Sequence, residues 1–279
     1  MTSSGGSTTG KGILFFVVAM NLLPFLDGTA KQLLHDGYHV LQILWARYFF
    51  STLLTLPLAF WFHGRKVFHP VKPAMQFGRG LLQTYSTLML FIAFSTMPLA
   101  DALAVFYAYP LVVTAISPFL LGEHVGWRRW SAVCVGFAGT LLIVRPGFET
   151  LNIGAIIALL GSFGFAAYLV LTRKIAGSMA PELALTYQCV ISAVILSAIV
   201  PYFWTMPDFT VWMMFIAIGA LSAVGHLLVI NAFNHAPASL LAPLGYVEII
   251  TAAGIGFVMF GDIPDSLTWA GIFVITASG

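Results

Sequence analysis

Runs of about twenty apolar residues follow one another along almost the whole chain, broken only by short stretches of Gly, Pro and charge. A soluble domain has no place for such runs, because its surface must be polar and about a quarter of its residues are usually charged. Here 8% of 279 residues are charged and 59% are hydrophobic. The runs are continuous rather than alternating, which excludes the wall of a β-barrel. The chain therefore reads as an all-α integral membrane protein. Punctuation gives ten spans, at 12–34, 41–62, 74–96, 98–121, 128–146, 152–174, 183–204, 211–234, 237–260 and 266–279. The last ends short of a full span, and we expect a basic tail to follow it. Residues 1–11, rich in Ser, Thr and Gly, are expected as a disordered tail. The run after Lys11 lacks a cleavage-site pattern and contains Pro24 and Asp27, so it reads as a retained first helix.

Charge orients the spans. With the tail on the even side, that side carries Lys11, Arg65, Lys66, Lys72, Arg79, Arg128, Arg129, Arg173 and Lys174. The odd side carries Lys31 and Arg145, and Arg47 lies within a span. The positive-inside rule then puts both termini in the cytoplasm. The formal net charge of +2 gives no nucleic-acid footprint. Cys134 and Cys189 fall inside apolar runs, form no C-x-x-C, and read as small buried residues.

Sliding the sequence along itself by 139 residues superposes "AFSTMPLA" (93–100) on "AFNHAPAS" (232–239). The same gap-free offset matches Tyr107 with Tyr246, Gly122 with Gly261, Glu123 with Asp262, Trp130 with Trp269 and Ala138 with Ala277. The first helices align at a slightly different offset, Lys31 on Arg173. The chain is thus five helices repeated, with halves at 12–148 and 149–279. Five is odd, so the second half enters the membrane from the opposite side. Such inverted repeats place substrate sites near the midplane, at the interface of the halves.

Two corresponding blocks carry a family resemblance: "MPLADALAVFYAYPLVVTAISPFLLGEHVGWRRWSAVCVGFAGTLLI" and "APASLLAPLGYVEIITAAGIGFVMFGDIPDSLTWAGIFVITASG". With the 5+5 repeat, the Gly122–Glu123 step, Trp130 and "GFAGTLLI", the chain resembles the EamA-type, ten-helix branch of the drug/metabolite transporter superfamily. Its second copy departs from the pattern, reading Gly261–Asp262. The resemblance covers 12–279 and implies export of small metabolites across a bacterial-type inner membrane. Within the branch it is most similar to exporters of aromatic and other amino acids. The branch also holds carriers of nucleotide-like and vitamin substrates.

Polar, aromatic and helix-breaking residues within the spans mark the expected path. The fourth span has Phe106, Tyr107, Tyr109 and Pro110; the ninth has Pro243, Tyr246 and Glu248. A proline inside a helix leaves the i−4 carbonyl without its donor, here those of Phe106 and Ser239. Matched breaks of this kind point to a binding site, although a kink made only for packing reads the same way. The third and eighth spans offer Gln83, Tyr85, Ser86, His226 and Asn231; the first and sixth offer Asn21 and Tyr168. A single polar residue in a bundle often bonds only a neighbouring helix.

Asp27 and Arg47 fall at similar depth in neighbouring antiparallel spans. They are expected as a structural ion pair, with a site for a zwitterion as the alternative. Glu248 lies near the midplane, where an ionised carboxylate costs about 3 kcal/mol or more. Four roles fit it: a protonated, hydrogen-bonded structural carboxyl; a carrier of a coupling proton; a contact for a substrate amino group; or the partner of a basic side chain.

Other chemistry is not indicated. No phosphate-binding loop, H-E-x-x-H or G-x-S-x-G occurs, so neither ATP drive nor an enzyme is read, and no cofactor is implied. His35 and His39 lie four apart beside a glycine in an outer loop, a poor metal site. "GFAG", "GSFG" and "AAGIG" supply small faces for helix packing or a dimer contact. The expectation is a secondary transporter for amino acids, aromatic ones included. Another metabolite carrier, or an intramembrane enzyme or scaffold, stands as the alternative.

Overall fold

A computed structural model describes residues 4–122, 126–144, 153–241, 244–245, 247–262 and 265–278. The elements are α1 (Ser4–His35), α2 (Val40–His63), α3 (Pro73–Phe94), α4 (Leu99–Phe106), α5 (Tyr109–Leu121) and α6 (Trp127–Val144) in the first half. The second half contains α7 (Ile153–Lys174), α8 (Pro181–Ile199), α9 (Phe209–His235), α10 (Ala238–Leu241), α11 (Val247–Phe260) and α12 (Ser266–Ser278). The fourth and ninth spans are each divided between two helices, α4/α5 and α10/α11. Helix α1 begins at Ser4, so residues expected as a disordered tail continue the first span. Each residue added to an existing helix gains a hydrogen bond without a new nucleus, which favours such extension.

Among the described residues, six stretches are long and apolar enough, by length and composition, to cross a membrane: Thr9–His35, Val40–Phe68, Asp101–Leu121, Ile153–Lys174, Pro181–Phe203 and Phe209–His235. Helices α11 and α12 are shorter and apolar. In α3 the residues Gln76, Arg79, Gln83, Ser86 and Thr87 are all buried, so its polar groups turn into the bundle rather than towards lipid. Large apolar side chains cover the outside, among them Phe119, Val258 and Phe273. Trp61, Trp127 and Tyr202 are exposed near helix ends, where amphipathic rings suit the headgroup region.

Local chemistry sets the ends. Gly37 takes φ +89°, and the amide of Tyr38 reaches back to the Leu33 carbonyl at 3.0 Å to close α1. Asp208 caps α9 by accepting from the Val211 amide at 2.8 Å. Gly122 and Gly261, which superpose in the repeat, end α5 and α11 with φ of 67° and 68°. Both caps need the left-handed region, which glycine enters without a Cβ penalty.

Packing follows the inverted repeat. The most extensive contacts are α1 with α9 and α3 with α7, which exchange under a two-fold relation between halves. Likewise α1 meets α11 while α7 meets α5; α2 pairs with α8 and α6 with α12. The architecture is two inverted five-helix repeats, with α6 and α12 bracing one side. Helices approach closely at small residues, since lipid supplies no hydrophobic drive for association. A Cβ on Gly219 would overlap Phe50 of α2, and the Ser51 hydroxyl donates to the Gly219 carbonyl at 2.8 Å. On α7, a Cβ at Gly161 would lie 3.0 Å from the Met89 Cβ, and the Ser86 hydroxyl donates to the Gly161 carbonyl at 2.9 Å.

Candidate functional site

A cavity of about 40 Å³ lies where α1, α2, α3, α4, α7, α9 and α11 converge. Leu23, Leu26, Leu90, Leu103, Phe106 and Phe165 form its apolar wall. Asp27, Arg47, Gln83, Ser86, Thr87, His226 and Glu248 bring its polar groups. All three charged-type side chains are buried: Asp27 at 6%, Arg47 at 4% and Glu248 at 6% exposure. In lipid-embedded protein such groups gather on cavities and paths rather than on the outer wall.

Arg47 is held by neutral partners. Its Nε donates to the Ser222 hydroxyl at 3.0 Å, its Nη1 to Thr87 at 3.1 Å, and its Nη2 lies 2.6 Å from His226 Nε2. The expected Asp27–Arg47 ion pair is not formed as a contact. The ion pairs among the described residues are Lys31–Asp262, His35–Asp36 and His63–Glu182. Asp27 and Arg47 instead face the same cavity, because Ser222, Thr87 and His226 fix the guanidinium from α9 and α3. Glu248 shares a side-chain hydrogen bond with Tyr107, so α11 is joined to the α4–α5 junction at the cavity. Two carboxyls and one guanidinium thus converge on one small space.

The helix breaks expose this junction. Helix α4 ends at Phe106, α5 begins at Tyr109, and Pro110 lies in the first turn of α5. Tyr109 is fully buried, its ring 4.8 Å from Phe165 in an edge contact. Phe165 stacks on Tyr168 at 5.6 Å, and Tyr168 meets His226 edge-on at 6.1 Å. Of these rings Phe165 lines the cavity, and Tyr109 and Tyr168 pack against it. Pro243 and Tyr246, expected on the path, lie outside the described residues.

Other expected path residues sit elsewhere. Tyr85 is 41% exposed and packs against Gly164, because it occupies the α3 face opposite the cavity. Asn21 joins α1 to α11, its side-chain oxygen accepting from Thr251 at 2.7 Å, and Asn231 bonds its own helix at the Leu227 carbonyl. Lys31 and Arg79, counted above for charge, are both engaged within the bundle. Lys31 pairs with Asp262 at 2.7 Å and lies over the Phe260 ring. Arg79 is 0% exposed, enclosed where α3 packs on α7 and α8. Cys134, read as buried, is exposed on α6, whereas Cys189 is buried.

The sequence reading passed over Thr87, Ser222, Phe165 and the leucines of the wall. Helical spacing could have found the first three: Thr87 follows Gln83 by one turn, Ser222 precedes His226 by one turn, and Phe165 precedes Tyr168 by three residues.

A helical bundle of inverted halves, with discontinuous helices and ionisable groups around a central cavity, defines a membrane carrier of small molecules. The chain belongs to the EamA-like transporter family, whose pattern matches it twice, at residues 10–145 and 152–278. It is 25% identical over 265 residues to the S-adenosylmethionine uptake transporter of Rickettsia felis, covering 95% of this chain and 89% of that protein. It is 26% identical to the riboflavin transporter of Vibrio cholerae, covering 73% of this chain and 70% of the relative. To the pseudopaline exporter CntI of Pseudomonas aeruginosa it is 28% identical, covering 72% and 71%. A protein solved by crystallography shares the fold at a TM-score of 0.74 and 19% identity, covering 98% of this chain. The protein is a multi-pass metabolite transporter. None of these three relatives is named for an amino acid, so amino acid export gains no support from them, and the other-metabolite alternative fits better.

Proposed function

We propose that the protein carries an organic cation or zwitterion bearing a planar ring, of nucleoside-like character, by alternating access across a bacterial inner membrane, with both termini in the cytoplasm. The observation that carries this reading is the meeting of Asp27, Glu248 and Arg47 on a cavity walled by Phe106 and Phe165. Two carboxyls suit two positive centres, one guanidinium suits a carboxylate, and the rings supply apolar area and stacking. S-adenosylmethionine, with a sulfonium, an ammonium, a carboxylate and an adenine ring, has that complement. The similarity to uptake transporters for it over nearly the whole chain supports the choice. Riboflavin lacks the positive centres that two carboxyls would hold. The relatives are named for uptake and for export, so direction is left to the gradients across the membrane.

Counterflow in proteoliposomes tests this. Vesicles preloaded with unlabelled S-adenosylmethionine should take up the labelled compound faster than empty ones and saturate. Riboflavin, phenylalanine, threonine and methionine, preloaded singly, should accelerate it less. Absence of exchange from folded protein would overturn the substrate assignment, and acceleration by phenylalanine or threonine alone would restore the amino acid reading. A reporter on either terminus found outside the cell would overturn the orientation.

A further inference from the structure

One turn before Gln83 on α3, Arg79 is enclosed among α3, α7 and α8. Its Nη2 donates to the Ala184 carbonyl of α8, and its guanidinium lies 5.9 Å from the centre of the Tyr168 ring. Among the described residues its Nε and Nη1 have no hydrogen-bond partner, although the side chain is wholly buried. Three buried neighbours are open as well: the Gln76 and Gln188 side-chain carbonyls and the Tyr168 hydroxyl. Gln76 lies three residues before Arg79 on the same face, its amide nitrogen turned to the Met179 sulfur at 2.8 Å. Gln188 follows Ala184 by one turn of α8, opposite Gly80.

An unpaired buried guanidinium is expensive, and a purely structural arginine would spend its five donors on carbonyls or a carboxylate. Here donors and acceptors stand open together, not bonded to one another. Ionisable groups within membrane spans mark substrate and ion paths, and this group adjoins one. Tyr168 touches both Arg79 and His226, and Gln83 of the cavity shares the Arg79 face of α3.

We propose that Arg79, Gln76, Tyr168 and Gln188 form a second polar station on the substrate path, taking an anionic group, a carboxylate above all, between the central cavity and the end of the bundle where α3 and α8 begin. This rests on the carrier reading of the central cavity. In the packed state α8 closes over the station. When α3 and α8 part, the guanidinium receives the anionic end of the solute, and the amide carbonyls receive its ammonium or hydroxyl groups.

Cys189 is next to Gln188 on α8, hydrogen-bonded towards Ser51 and Thr55 of α2, and feels the charges of both Arg47 and Arg79, so the Arg79 share of its reactivity reports on the station. With Cys134→Ser removing the exposed thiol, Cys189 should react with small methanethiosulfonates while the carrier cycles. The sulfonate-bearing reagent should react faster than the trimethylammonium one by about tenfold, each rate corrected for its reaction with a free thiol. Arg79→Gln should cut that preference at least about threefold, Arg47 supplying the remainder, and Arg79→Lys should retain it. An inert Cys189 in folded protein, or a preference unchanged by Arg79→Gln, would overturn the station. Loss of S-adenosylmethionine counterflow in otherwise wild-type protein, with the anion preference intact, would remove the proposed substrate and leave the station standing.

Discussion

Arg47 anchors three neutral side chains from α3 and α9, so its removal leaves Thr87, Ser222 and His226 buried with fewer partners. We expect Arg47→Met to lower stability by about 1–3 kcal/mol per group left unsatisfied, read as a lower melting temperature in detergent. Asp27→Asn should behave differently. Its carboxyl faces the cavity and makes no ion pair with Arg47, so the variant should fold normally and lose exchange of cationic solutes. A variant that fails to fold, rescued by a charge-swapped Asp27→Arg/Arg47→Asp double change, would restore the structural pair. Glu248→Gln removes one of the two carboxyls offered to the solute's positive centres, so counterflow of S-adenosylmethionine should fall at least about tenfold in folded protein; a rate that the substitution leaves unchanged at every pH would exclude both a substrate contact and a proton role. At this scale the sequence was most legible where a charged or amide side chain interrupts an apolar run. Asp27, Arg47, Gln83, His226 and Glu248 all reach the cavity. It was least legible where one residue's face had to be guessed. Tyr85 and Ser86 are adjacent, yet only Ser86 turns inward, and Arg79 looks like a surface lysine's equivalent until α8 is packed against it.

At the scale of elements, the repeat offset anticipated shared devices such as the Gly122 and Gly261 caps, whose φ values agree within a degree or two of each other at 67° and 68°. Close approaches were harder to read, because a glycine's neighbour is set by tertiary packing. Gly219 lies where α9 crosses α2, and a larger residue there must displace the Phe50 backbone. Gly219→Leu should therefore destabilise the protein by about 1–3 kcal/mol or more, visible as a thermal shift, and weaken exchange through the displaced α2. Pro110→Ala should act on function instead. It removes the ring that holds the α4–α5 junction apart and favours one continuous helix, so the melting temperature should hold or rise while the exchange rate falls at least about tenfold. An unchanged rate would show that the break serves packing alone.

For the molecule as a whole, alternating exposure requires one end to part while the other holds. Lys31 and Asp262 tie α1 of the first half to the end of α11 in the second, and the same Asp262 carboxyl accepts from the Leu99 amide at the start of α4. Cysteines at both positions, Lys31→Cys with Asp262→Cys, should lock that end when bridged by a short bis-methanethiosulfonate that spans the length of the lost lysine side chain. Exchange should stop and return on reduction; exchange unaffected by a complete crosslink would show that this end does not open. The cavity also carries a kinetic consequence. Substrate pockets usually enclose about 300–1,000 Å³, and the space here is about 40 Å³. That is room for little more than water beside the Phe106 and Phe165 rings. A solute the size of S-adenosylmethionine does not fit such a space until the helices around it part. Flux per copy is therefore paced by helix rearrangement rather than by diffusion through a hole, and a cell raises its flux by inserting more copies.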